Sequence, residues 1–297
     1  MHGGRVLWLL DALNVSMDSL QSQPTTFATS NFTGVDDILF RYGAKVNTNL
    51  VMDLQCAKVP IVTGQYQDNM PQMSFYPWNF FPEIHPNSNH IVSDKISPVK
   101  LEFASTIDTT ASSATKTPLL TTSNGTRIMN APVNVSLNML KQKQDPKLFN
   151  AGAKTVALLL EGEFSSAFKN RLTATMEENT QIAFKDFSDS TAMIVVSDGD
   201  IARNDFINGQ ILPLGYDKFT KQMYGNKEFF FFFFNYLCGD EDLIPLRSRE
   251  LIMRKLDTAK IEREKTLWQV VNVALPIVVV LLAGVILNIV RRKRFKK

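Results

Sequence analysis

Apolar residues gather along this chain in short unbroken runs rather than in long alternating stretches. Five runs, 5–10, 45–52, 59–63, 155–160 and 192–197, have the length of strands. Three of them stop at an aspartate: Asp11, Asp53 and Asp198. Unbroken apolar character over so few residues predicts strands buried on both faces. With helical stretches between them, they predict a Rossmann-like, parallel-rich α/β sheet covered by helices on either side.

The helical stretches have their own signals. Asp36 and Asp37 suit a helix first turn, Ile38, Leu39 and Phe40 supply an apolar face, and Gly43 suits the end. Further helices are expected from Ala131-Pro132 to about Lys141, and from Ser165 to about Asn179. Another is expected from near Asn226, through six consecutive phenylalanines, Phe229 to Phe234. That last helix is apolar all round and should be buried on most sides. Residues 64–90 break the pattern. Pro71, Pro77, Pro82 and Pro86 are interleaved with aromatics there, which predicts a long ordered loop and argues against a central strand. Residues 109–117, rich in Ser, Thr and Ala, read as a solvated connection.

One run differs in kind. Residues 270–290 read VVNVALPIVVVLLAGVILNIV, with no charge. A helix of that length is about 32 Å long, close to the thickness of a bilayer's hydrocarbon core. Trp268 suits the interface, and Pro276 lies early in the helix, where a kink is tolerated. Ala274, Ala283 and Gly284 allow close approach of another helix. Before this run, residues 246–268 carry many charges, with Leu251, Ile252, Leu256 and Ile261 at helical spacing. They read as an amphipathic stalk. The expected organisation is an extracytoplasmic domain over 1–245, a juxtamembrane stalk over 246–268, a transmembrane helix over 269–290 and a cytoplasmic tail over 291–297.

Charge sets the orientation. The net charge is +3, but the tail 291–297 holds six positive charges, so the remainder carries −3. The positive-inside rule puts that tail in the cytoplasm and the body outside. The first residues, MHGGRVLWLLDALNV, lack the features of a signal peptide, and the chain is expected to continue upstream of its first strand. A mildly acidic body argues against a nucleic-acid partner.

Candidate chemistry is sparse. Cys56 and Cys238 have no metal spacing and read as buried free thiols, the alternative outside the cytoplasm being a disulfide between them, and three histidines make a histidine metal site improbable. His85 and His90 read as solvated. There is no G-x-S-x-G elbow, P-loop or G-x-G-x-x-G, and neither a cofactor nor a catalytic residue is expected. The best polar constellation is Asp198, Asp200, Arg203 and Asn204, after a predicted strand, where open α/β sheets place ligand sites. The alternative for these residues is an acidic turn with capping roles.

Several stretches together resemble the GldG family of gliding-motility-associated ABC-transporter substrate-binding components. They are WLLDALNVSMDSL (8–20), DDILFRYGAKVN (36–47), LVMDLQCAKVP (50–60), PWNFFPEIHPNSNHIV (77–92), VVSDGDIARNDF (195–206), PLGYDKFTKQMYGNKEF (213–229) and the terminal helix. The resemblance implies an α/β domain distantly like class I glutamine amidotransferases, without catalytic residues. It also implies a place in the inner membrane of a gliding bacterium beside an ABC permease and, through it, an ATPase. The leading expectation is a non-catalytic, membrane-anchored accessory or substrate-binding subunit. On that expectation Phe75, Tyr76, Trp78, Phe80 and Phe81 contact the permease. The alternatives are a membrane-anchored amidotransferase-like hydrolase, which would use Cys56, and an extracytoplasmic sugar- or peptide-binding module.

Overall fold

The computed structural model describes residues 1–65, 71–86, 90, 96–142, 144–181, 183–239 and 258–295. They fall into two compact units, Met1–Met253 and Arg254–Lys297. In the first, β1 (Val6–Leu9) and the short β2 (Leu13–Asn14) lead through α1 (Met17–Ser22) to β3 (Thr25–Ser30). Next come α2 (Asp36–Tyr42), β4 (Ala44–Val46) and β5 (Asn49–Asp53), then the long strands β6 (Cys56–Gln65) and β7 (Pro71–Ile84). Shorter strands follow: β8 (Val99–Lys100), β9 (Ile107–Thr109), β10 (Thr115–Thr121), β11 (Thr126–Asn130) and β12 (Val133–Ser136). The unit closes with β13 (Thr155–Gly162), the one-turn α3 (Ala174–Glu177), β14 (Thr191–Val196), the small pair β15 (Phe206–Ile207) and β16 (Gln210–Ile211), and α4 (Asn226–Cys238).

The central sheet has the order β1-β14-β13-β10. β14 and most of β13 are buried, and their alternate side chains feed two cores. Val156, Leu159, Ile194 and Val196 meet Phe229 and Phe233 of α4. Leu158, Leu160, Met193 and Val195 meet Leu39 and Tyr42 of α2. Two-sided burial explains why these strands read as continuous apolar runs.

The expectation of a parallel-rich, Rossmann-like sheet is corrected here. The fold is mixed α/β, in several small sheets that are mostly antiparallel. Among the described strands only β1 and β14 pair in parallel, with Val6 opposite Met193 and Leu9 opposite Val196. β13 and β14 run antiparallel. A parallel pair needs a crossover, usually a helix, and α3 is a single turn. Continuous burial therefore identified the strands but carried no information on their direction.

Other local expectations divide. α2 forms with Asp36 and Asp37 in its first turn and ends at Gly43, whose φ of 116° lies in the left-handed region. A Cβ on Gly43 would stand 2.3 Å from Ser112 Oγ, so packing as well as backbone demands glycine. The run 45–52 breaks into β4 and β5. The helix expected after Ala131-Pro132 is instead β12, paired with β3, followed by a 3-10 turn, Leu137–Lys141. The helix expected over 165–179 is reduced to α3.

The proline-rich stretch is also corrected: it contains β7, fourteen residues long and paired with β6. Proline is tolerated in a strand where its nitrogen faces away from the ladder or lies at a bulge. The register shifts between Cys56, opposite Pro82, and Lys58, opposite Pro77. At that irregularity Trp78, Phe80 and Phe81 enter a second core with Leu50, Met52 and Phe103. The Phe80 and Pro82 carbonyls accept from the Phe103 and Leu101 N–H groups.

The second unit contains α5 (Thr258–Phe295). Within it, Glu264–Ile289 is long and apolar enough to cross a membrane, and its side chains are exposed. It covers residues 270–289 of the predicted 270–290 run. The stalk positions Leu251, Ile252 and Leu256 lie outside the described residues.

Candidate functional site

The site is built where β1 and β14, the parallel pair, end side by side. Asp11 follows β1 and Asp198 follows β14. The Gly199 N–H donates to Asp11 Oδ1 at 2.7 Å, an approach so close that a Cβ on Gly199 would lie 2.6 Å from Asp11 Oδ2. Asp198 is fully buried. It accepts from the Glu102 N–H at 2.7 Å and the Asp200 N–H at 2.8 Å. Burial pushes its carboxyl well above the usual carboxylate range, against the pull of the Glu102 N–H bond, with Glu102, Asp11 and Asp200 adding to the rise. Asp198 therefore holds the turn from beneath, and its neighbours form the surface.

Those neighbours are a row of alternating charges. Arg203 bridges Glu102 at 3.0 Å and Asp200 at 2.9 Å. Lys100 reaches Glu102 at 2.8 Å and Asp217 at 3.7 Å, and Lys218 bonds Asp205 at 3.0 Å. Burial alone would weaken the charge on Lys100, but Glu102, Asp217 and Asp205 outweigh it and raise its pKa. The Asn204 side chain donates to the Leu212 carbonyl at 2.8 Å, tying the turn to the far side of the β15–β16 pair. Behind the row, Asn226 at the start of α4 exchanges hydrogen bonds with the Lys100 backbone. Tyr224 donates to Glu83 at 3.0 Å, and burial followed by the Glu83 charge pushes its phenol up.

The charged row is one wall of a cleft of about 500 Å³. The rest of the lining is mainly apolar, with Leu20 of α1, Val59 and Ile61 of β6, Met73 and Phe81 of β7, and Leu137; Asp18 and Lys58 add one charge of each sign. Lys100 sits 4.9 Å over the Phe81 ring, where the two surfaces meet. The volume falls in the range of small-molecule sites. Such a cleft can hold an apolar body and direct a polar or charged end of either sign toward the row.

Of the residues singled out in the sequence, Arg203 lines the cleft, Asp200 pairs with Arg203 at the end of the row, Asn204 braces the turn, and Asp198 supports it. Sequence reasoning missed Lys100, Glu102, Asp217 and Lys218. They come from segments far from Asp198 in the chain, and no local spacing announces them. Trp78, Phe80 and Phe81 are buried, at 2%, 0% and 3% exposure, which leaves Phe75 exposed and Tyr76 half-buried at the surface. Cys56 is half-buried, with the Asn79 amide nitrogen 3.9 Å from its sulfur, and Cys238 is exposed rather than buried. His90 packs edge-on to Tyr236 of α4. Among the described residues no group of three His, Cys, Asp or Glu side chains is arranged to hold a metal.

The row makes one group sensitive near neutrality. Burial pushes the Asp200 carboxyl up to about 6; Arg203 pulls the other way, and Glu102, Asp11 and Asp18 add to the rise. An unfolded aspartate titrates near ~3.9. The folded state therefore binds this proton more tightly, and the group's contribution to stability grows as pH falls from about 7 toward 4. Asp200→Asn is expected to remove that gain, worth up to about 2 kcal/mol after solvent screening. Thermal melts of parent and variant in steps of pH check this; identical pH profiles would refute it.

A family model described as an ABC-type uncharacterized transport system matches residues 1–231. Neither a curated protein nor a solved structure matches the chain.

Proposed function

The chain belongs to the ABC-type uncharacterized transport system family, and from that premise we propose that it is a non-catalytic, membrane-anchored subunit standing beside an ABC permease and its ATPase. The family match carries this reading, because it covers both the central sheet and the cleft. The apolar stretch of α5 supports a single-pass anchor, and the basic residues after it support a cytoplasmic C-terminus. The folded domain then faces the outside of the inner membrane. The resemblance to gliding-motility components makes motility the process served.

The substrate-binding role rests on the cleft. A binding subunit needs a concave surface with an apolar body and a few directional polar groups, and the cleft has both. Its cations and carboxylates are largely paired with one another, which favours recognition over acid–base chemistry.

Purification of the intact assembly in mild detergent, through a tag on this chain, tests the reading. A permease and an ATPase are expected to co-purify in stoichiometric amounts. Replacing residues 270–290 by a leucine helix is expected to keep the protein in the membrane and release the permease. A chain that purifies without either partner would overturn the assignment.

A further inference from the structure

Helix α4 carries more aromatic surface than its core uses. Phe229 and Phe233 are fully buried against the central sheet, and Phe230 and Phe232 pack partly on the same core. Phe231 and Phe234 do not: they are 59% and 57% exposed. Lys227 and Cys238 are exposed as well. At 3.6 residues per turn, Lys227, Phe231, Phe234 and Cys238 fall within a sector of about 60°, forming one straight stripe along the helix. A helix of a soluble domain normally puts polar side chains there. Folding does not call for two further phenylalanines, so the stripe has another use.

Its surroundings indicate the occupant. Cations stand at both ends. Lys227 opens the stripe, and exposed Arg5 donates at its other end to the Tyr236 and Leu237 carbonyls, at 3.0 and 2.9 Å. An apolar strip between cations matches a phosphate-bearing lipid surface, where aromatic rings enter the interface and cations meet headgroups. The strip is too narrow for a stable protein contact, which buries about 800 Å² on each partner. The chain itself supplies proximity. α4 ends at Cys238, and α5, with its membrane-crossing stretch, begins at Thr258. The intervening residues reach at most about 70 Å, which keeps α4 within a bounded distance of the bilayer that α5 would cross.

We propose that the exposed stripe of α4, led by Phe231 and Phe234, inserts into the interface of the same bilayer that α5 crosses. The stripe thereby gives the folded domain a membrane contact of its own. This rests on reading α5 as membrane-spanning, but not on the identity of any transport partner.

Cys238 lies on the stripe and offers a probe site. The full chain carrying Cys56→Ser is labelled at Cys238 with an environment-sensitive fluorophore. It is then reconstituted into phosphatidylcholine–phosphatidylglycerol vesicles. The expected result is strong quenching by spin-labelled lipid and weak quenching by iodide. The variant with Phe231→Ser and Phe234→Ser is expected to reverse that preference by about tenfold, with an unchanged melting temperature. Quenching by iodide in the parent protein would overturn the proposal, since the stripe would then face water. Shielding from both quenchers would also overturn it, because a protein would then cover the stripe. A chain that fails to float with the vesicles would overturn the reading of α5 together with this one. The other two failures leave the α5 reading intact.

Discussion

A chain lacking residues 1–10 is expected to show no cooperative thermal transition in its folded domain. The deletion removes β1, which supplies the parallel pairing to β14 from Val6 to Leu9. It also opens two cores at once. Leu7 and Leu9 pack on the core beneath α4, and Val6, Trp8 and Leu10 pack on the core beneath α2. Five partly buried apolar side chains at roughly 1–2 kcal/mol each are comparable with the whole stability of an ordinary domain, about 5–15 kcal/mol. The Arg5 bonds to the last carbonyls of α4 go as well. Asp11, left without the strand that positions it, no longer holds the Gly199 N–H at the edge of the cleft. Circular dichroism melts of the full and shortened chains in the same detergent make the measurement. A shortened chain that melts at the parental temperature would show that β1 is dispensable.

Asp53→Ala has the next largest expected effect, about 3–5 kcal/mol of lost stability. Asp53 is fully buried at the end of β5. Its carboxylate accepts from the Gln55 N–H at 2.8 Å, the Ser123 N–H at 2.8 Å and the hydroxyls of Ser123 and Thr126. It thereby joins the turn before β6 to the turn between β10 and β11. Alanine leaves buried donors without an acceptor. At about 2–4 °C per kcal/mol for a domain of this size, the melting temperature should fall by about 6–20 °C. Asp53→Asn, which keeps one acceptor oxygen, should fall between the two. Burial pushes the Asp53 carboxyl up, against the hydrogen bonds from Ser123, Gln55 and Thr126. The parent therefore gains stability as pH falls through the folded pKa toward the ordinary aspartate value, and the alanine variant should lack that gain. A loss below about 1 kcal/mol would mean that the two turns hold without the carboxylate.

What the sequence alone determined is what a short window of residues can encode. The apolar runs at β1, β13 and β14 announced buried strands because burial on both faces leaves no polar positions to interrupt them. The acidic first turn of α2 and Gly43 at its end are local capping signals, and the helix obeys them. The apolar stretch inside α5 was legible from its length and absence of charge, because both are read directly from a window of residues. Asp198 and Asp200 were legible as residues following a strand. Only the tertiary structure decided the rest. Strand direction depends on the connection, and the segment between β13 and β14 has a single turn of helix where a parallel pairing needs a full crossover. Whether Pro77 and Pro82 exclude a strand depends on where their nitrogens point, which a bulge opposite Cys56 and Lys58 settles. The aromatics of β7 look alike in sequence, but packing separates Trp78, Phe80 and Phe81, inside, from exposed Phe75. The cleft is the clearest case. Lys100, Glu102, Asp217 and Lys218 meet Asp200 and Arg203 because three distant segments converge at the ends of β1 and β14. Charge pairing acts through space over a few ångströms, and no spacing along the chain records it.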